Sequence, residues 1–156
     1  MKFKTISQQD TMDLAACLAG MLTDGDTVLL HGDLGAGKSV FARGVARGMG
    51  ITGAMPSPTF TLLIPYRQGG RRLYHYDLYR ISDEDEFYAA GLDEFIGGDG
   101  VALIEWPEMV TLNVTPRLDV TIDRAENENE RIIEITNTGV AGFDPEALGK
   151  WSTEDR

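Results

Sequence analysis

Eight consecutive residues, Gly32 to Ser39 (GDLGAGKS), constrain this chain more than any other stretch. They set a glycine, four free positions, a second glycine, a lysine and a serine in line just after the apolar run Thr27–Leu30. A continuous apolar run of this length suits a strand covered on both faces, which is the environment of an α/β sheet. Beyond Ser39, Val40, Phe41, Val45 and Met49 recur at helical spacing, and Gly48 and Gly50 close the segment. Strand, glycine-rich turn and helix thus follow in the order of a phosphate-binding loop. Gly35 and Gly37 free the backbone to aim its amides at one point, and the start of the next helix adds its positive end. Lys38 is expected to reach the β- and γ-phosphates of a nucleoside triphosphate, and the Ser39 hydroxyl to ligate magnesium.

The rest of the chain supplies the frame. Ser7 followed by Asp10 resembles a capping box, and Met12, Ala15, Ala16, Leu18, Ala19 and Leu22 form a helical stripe ending near Met21. The stretch Met55-Pro56-Ser57-Pro58-Thr59 is expected to be an ordered loop, since each proline biases its predecessor away from helix. Phe60–Tyr66 and Arg72–Tyr76 flank Gln68-Gly69-Gly70-Arg71 and predict a hairpin. A helical segment is predicted over Asp83 to Ala90, and a second buried strand over Val101–Ile104. A late strand pair, Arg117–Ile122 with Arg131–Thr136, spans the acidic AENENE turn. The expected fold class is α/β, a P-loop NTPase-like three-layer fold with a mainly parallel central sheet, an antiparallel hairpin and the late strand pair. One domain is expected over 1–136. Residues 137–156 read as a partly disordered tail with a weak helix near Pro145 to Leu148.

A P-loop enzyme also needs an acidic residue at the end of a neighbouring buried strand, to hold magnesium directly or through water. Glu105, after Val101-Ala102-Leu103-Ile104, meets that need. Thr59 is placed like a switch threonine that senses the γ-phosphate. Asp77 follows the strand carrying Tyr74, His75 and Tyr76, so either Thr59 or Asp77 would position an attacking water. His31 and His75 belong to no visible cluster and read as structural. No Asn-Lys-x-Asp stretch of the guanine-reading type occurs, which favours ATP over GTP, and no LSGGQ of the ABC type occurs. Arg43 and Arg80 are the candidates for an arginine finger in cis. Two other readings stay open. A small-molecule kinase would need an acceptor pocket and an arginine-rich lid, for which Gln68 to Arg72 is a poor candidate. In a nucleotide-gated adaptor, hydrolysis would be incidental.

Charge narrows the partners. A formal net charge of −11 over 156 residues argues against a chain that grips nucleic acid by itself, because Lys and Arg supply most of that affinity. A role on RNA would run through a partner, and DNA is not expected. Cys17, the sole cysteine, excludes an internal disulfide and a cysteine-cluster metal site. The longest apolar runs fall far short of the roughly 20 residues of a membrane-spanning helix. The N-terminus lacks the apolar core of a secretory signal, so a cytoplasmic location is the expectation.

Four blocks, GDLGAGKS, Ser57-Pro58-Thr59-Phe60, Tyr74-His75-Tyr76-Asp77-Leu78-Tyr79-Arg80 and Glu105-Trp106-Pro107, stand in an order and spacing that resemble the TsaE family of small bacterial P-loop ATPases. The resemblance covers about residues 5 to 136. It implies a part in making the threonylcarbamoyl modification on the adenosine beside the tRNA anticodon, together with TsaD and TsaB, the pair that performs the transfer. ATP hydrolysis would support or reset that complex, and tRNA would be met only through it. The resemblance also implies nucleotide contacts at Gly35, Ala36, Gly37, Lys38, Ser39 and Val40, with another near Gln8 ahead of the first helix. It puts magnesium on Ser39 and Glu105, the switch-like threonine on Thr59 and the essential aspartate on Asp77. Ser39 stands where threonine is more frequent and offers the same hydroxyl.

Overall fold

In the computed structural model, Val28 and Leu30 of the first apolar run pack into one hydrophobic cluster and Leu29 into another. The strand they form is therefore covered on both faces. The structure describes residues 1–53, 55, 56, 58 and 61–153. Among these residues seven strands, β1 (Lys2–Thr5), β2 (Thr27–His31), β3 (Leu63–Gln68), β4 (Arg71–Asp77), β5 (Val101–Glu105), β6 (Arg117–Arg124) and β7 (Arg131–Thr138), form one sheet in the order β1-β7-β6-β2-β5-β4-β3. Helices α1 (Gln8–Ala19) and α2 (Lys38–Gly48) cover one face, sharing a cluster with Val28, Leu30, Val101 and Leu103. The short α3 (Glu84–Ala89) contributes Phe87 to the other face, against Tyr76, Ala102 and Ile104.

The sheet is mixed, not mainly parallel. Its four middle strands β6, β2, β5 and β4 pair in parallel, whereas β1–β7, β6–β7 and β3–β4 pair antiparallel. The predicted hairpin and late strand pair are both part of this one sheet, at its two sides. The sequence reading also lacks β1, a four-residue strand whose only pattern is the alternation of buried Phe3 and Thr5. The hairpin begins at Leu63, and its two-residue turn uses Gly69 and Gly70 at φ 60° and 78°, as a hairpin with both central residues in the left-handed region requires. Pro65 sits on β3, an edge strand, where a missing amide is tolerated.

Residues 137–153 are packed, which corrects both the expected domain end at 136 and the partly disordered tail. β7 continues to Thr138, and Val140, Leu148 and Trp151 are buried in the cluster that holds α1. Trp151 Nε1 donates to Asp10 Oδ1 at 2.7 Å, and Ser152 bridges Phe3. The weak helix predicted near Pro145 is a 3-10 helix over Pro145–Trp151. Asp10 also serves the start of α1: its amide donates to Ser7 Oγ at 3.0 Å, and its carboxylate accepts from the Ile6 amide at 3.0 Å.

Glycines let α2 lie close on α1. A Cβ at Gly44 would stand 2.5 Å from the Met12 carbonyl oxygen, and one at Gly48 would stand 2.4 Å from that of Ala16. Alanine is favoured over glycine inside a helix by about 1 kcal/mol, but overpacking against backbone costs about 1–3 kcal/mol. The clash should win. Gly44→Ala is expected to lower the urea midpoint with an unchanged slope, and a raised midpoint would show that the helices are not in backbone contact. No helix among the described residues is long and apolar enough to cross a membrane.

Candidate functional site

Because β2, β5 and β4 run parallel, their carboxyl ends meet at one edge of the sheet, the usual place for a crevice in α/β folds. Register places Leu30 beside Glu105 and Glu105 beside Asp77. Both carboxylate residues are largely buried, at 5% and 7% exposure for Glu105 and Asp77. The glycine-rich loop leaves β2 at this edge. Gly35 and Gly37 lie at φ 79° and 114°, conformations that a side chain would strain, and Gly37 is the N-cap of α2. Gly37 has no side chain with which to cap this helix, so it does not claim the first-turn amides. The Ala36 amide is used within the loop, donating to the Asp33 carbonyl at 3.0 Å.

Lys38, the first residue of α2, points into the crevice and is 5% exposed. Its Nζ donates to the Gly32 carbonyl at 2.7 Å and lies 3.3 Å from the centroid of the Trp106 ring. Burial pushes the Lys38 amine below its ordinary pKa, against the opposing pull of Glu105, Glu108, Asp77 and Asp33. Trp106, which follows Glu105 at φ 58°, also meets the Tyr79 ring at a tilt of 46°, with ring centroids 4.9 Å apart.

Glu105 has a buried partner that the sequence did not reveal. His75, two residues before Asp77 on β4, places Nε2 2.7 Å from Glu105 Oε2, and both side chains are more than nine-tenths buried. If Nε2 carries the proton of the neutral ring, Nδ1 is an acceptor, and Nδ1 has no hydrogen-bond partner among the described residues. Asp77 Oδ1 accepts from the Tyr79 amide at 3.0 Å, which fixes the turn after β4. The Ser39 hydroxyl and the two carboxylates are hard oxygen donors of the type magnesium takes, usually one or two from protein with the rest from water and phosphate.

The cleft bounded by these groups has a volume of about 310 Å³. Of the residues singled out from sequence, Gln8, Gly35, Gly37, Lys38, Ser39, Val40, Asp77 and Glu105 line it. Ala36 does not: its side chain is buried behind the loop. Thr59 lies outside the described residues. Arg43 lines an adjoining recess with Ser39, His75 and Glu105, and Arg80 is on the exposed turn after β4. His31, expected to be structural, places Nε2 3.0 Å from Asp119 Oδ1. Trp106, Asn129 and Arg131 also line the cleft. Trp106 had a sequence signal in its position after Glu105, whereas Asn129 in the β6–β7 turn and Arg131 at the start of β7 are far from the loop in sequence.

Fold and site together define a mixed α/β protein that builds its cleft from a glycine-rich loop and two carboxylates at the carboxyl ends of parallel strands. The family model of the threonylcarbamoyl adenosine biosynthesis protein TsaE matches residues 5–133. The tRNA threonylcarbamoyladenosine biosynthesis protein TsaE of Bacillus subtilis is 41% identical over 140 residues, 89% of this chain and 87% of that protein. The TsaE protein of Rickettsia conorii is 40% identical over 133 residues, 84% of this chain and 75% of its own length. The crystal structure of YdiB from Bacillus subtilis matches with a TM-score of 0.71 at 35% identity, over 100% of this chain and 96% of that one. The chain belongs to the TsaE family of tRNA threonylcarbamoyladenosine biosynthesis proteins.

Proposed function

We propose that this protein is an ATPase that binds ATP with magnesium, hydrolyses it slowly and supports threonylcarbamoylation of tRNA in the cytoplasm, acting with TsaD and TsaB and leaving the transfer step to them. The observation that carries this reading is the convergence of Lys38, Asp77 and Glu105 on one cleft beside the glycine-rich loop. Loop amides and the start of α2 receive the phosphates, and Lys38 exchanges the Gly32 carbonyl for a phosphate oxygen. Ser39 and Glu105 would hold magnesium, which would neutralise charge developing on the phosphate oxygens. His75 fixes the rotamer of Glu105 through its 2.7 Å contact. Asp77, beside Glu105 in the sheet, or the switch-like Thr59 orients the attacking water. Gln8 of α1 and Val40 of α2 contact the nucleotide where they line the cleft.

An adaptor reading draws on a different observation. Trp106 covers Lys38 on one side and touches Tyr79, 48% exposed, on the other, so a phosphate that draws Lys38 away would change the packing beneath a surface aromatic.

Both readings require nucleotide binding, and Trp106 reports on it. Addition of ATP with magnesium is expected to change the tryptophan emission of the wild-type protein, while Trp106→Phe, which leaves Trp151 in place, should abolish the response. Calorimetry without a binding heat, together with unchanged emission, would overturn both. The specific role is tested by reconstitution: TsaD and TsaB with this protein should modify tRNA in an ATP-dependent manner, and failure to associate with them with or without ATP would remove the partner assignment.

A further inference from the structure

A loop that turns its amides toward one point must turn its carbonyls outward, and those carbonyls need partners of their own. Here three carbonyls of the glycine-rich loop each accept from a cationic side chain. Gly32 accepts from Lys38, Gly35 from Arg124 Nη2 at 3.0 Å, and Ala36 from Arg131 Nε at 2.6 Å. Such charge-assisted bonds are roughly twice as strong as neutral ones. Lys38 is the member of the three that is proposed to turn to phosphate, which leaves the two arginines as the standing supports.

Their placement departs from what a sheet prefers. Arg124 and Arg131 face each other directly in the β6–β7 ladder, and like charges in that position are destabilising. The repulsion is offset because both guanidinium groups reach the loop. Arg131 is itself held in orientation, since its Nη1 donates to the carbonyls of Glu128 at 2.7 Å and Glu130 at 2.8 Å. Arg124 lies close over the loop, its Nη2 2.8 Å from where a Cβ at Gly35 would stand; that flexible group could yield, so the glycine at 35 answers its positive φ of 79°.

We propose that Arg131, with Arg124 beside it, is a positioning residue that sets the shape of the glycine-rich loop through the loop's carbonyls, so that the loop is arranged for a phosphate before one arrives. The phosphate part of this statement rests on the ATP reading above; the bracing of the loop does not. Binding is then less burdened by ordering the loop, and the β6–β7 turn becomes part of the nucleotide site although it lies far from it in sequence.

The test is nitrogen-15 relaxation on the nucleotide-free full chain, paired with calorimetric titration of ATP and magnesium. Backbone order parameters at Gly35 and Gly37 should be near 0.85 in the wild type and fall below about 0.6 in Arg131→Ala, with ATP affinity about tenfold weaker. Arg131→Lys keeps the charge but cannot offer Nε and Nη1 together, so it should resemble the alanine variant. Full restoration of loop order and affinity by lysine would reduce the effect to charge and overturn the proposal, as would unchanged loop order in Arg131→Ala. If Arg131→Ala does not fold, the exposed Arg124→Ala is read for the same loss at Gly35, and unaltered order there overturns the bracing. If the wild type binds no ATP while the arginine variants still loosen the loop, the ATP reading fails and the positioning role stands.

Discussion

Lys38→Ala is expected to lower ATP turnover by a factor on the order of 10²–10³, the usual effect of removing one preorganised donor from developing charge. The fold should survive. Lys38 is a buried cation whose amine is pushed down by burial, so the charged form disfavours folding at neutral pH, and its removal deletes that burden along with its bond to Gly32. The sign can be followed through pH. With the folded value below 10.5, the unfolded chain binds more protons, so the contribution of Lys38 to stability rises with pH between its lowered value and 10.5. Phosphate binding acts oppositely, because an added anion favours the charged amine. ATP affinity should therefore fall as pH rises through the lowered Lys38 value in the wild type, and that phase should be missing in Lys38→Ala. Turnover within a few-fold of wild type would remove Lys38 from the reaction.

Much of this site was legible because its signals are local. The run Thr27–Leu30, the glycines at 35 and 37 and the spacing of Val40, Phe41 and Val45 each restrict the chain over a few residues, and strand, loop and helix follow in that order. Glu105 was legible for the same reason, at the end of a four-residue apolar run. What depended on distant partners was not. His75 pairs with a carboxylate 30 residues away, and Arg131 with a carbonyl 95 residues away, and neither separation leaves a periodic trace. The C-terminal segment misled because Val140, Leu148 and Trp151 are isolated apolar residues. Their burial exists only once α1 and Asp10 are in place. β1 has the same character, since four residues carry too little pattern to predict a strand without β7 beside them.

Glu105 separates hydrolysis from occupancy as the output of the site, and two variants are needed because the residue has two contacts. Glu105→Ala removes the proposed magnesium ligand and also deprives buried His75 of its partner. It should lose hydrolysis and, in addition, about 1–3 kcal/mol of stability from the unsatisfied imidazole. Glu105→Gln keeps an amide oxygen that can accept from His75 Nε2, so its melting temperature should stay near that of wild type. It loses the negative charge, and ATP turnover should fall by about 10²-fold or more, while the loop amides and Lys38 still hold the phosphates. Supplied to TsaD, TsaB and tRNA with ATP, the Gln variant then gives a clear division. A modification yield that stops near a single round per protein would show that hydrolysis drives the cycle. Multiple rounds at the wild-type rate, with ATP bound and uncleaved, would sink the hydrolysis reading and leave occupancy, relayed from Lys38 through Trp106 to Tyr79, as the signal.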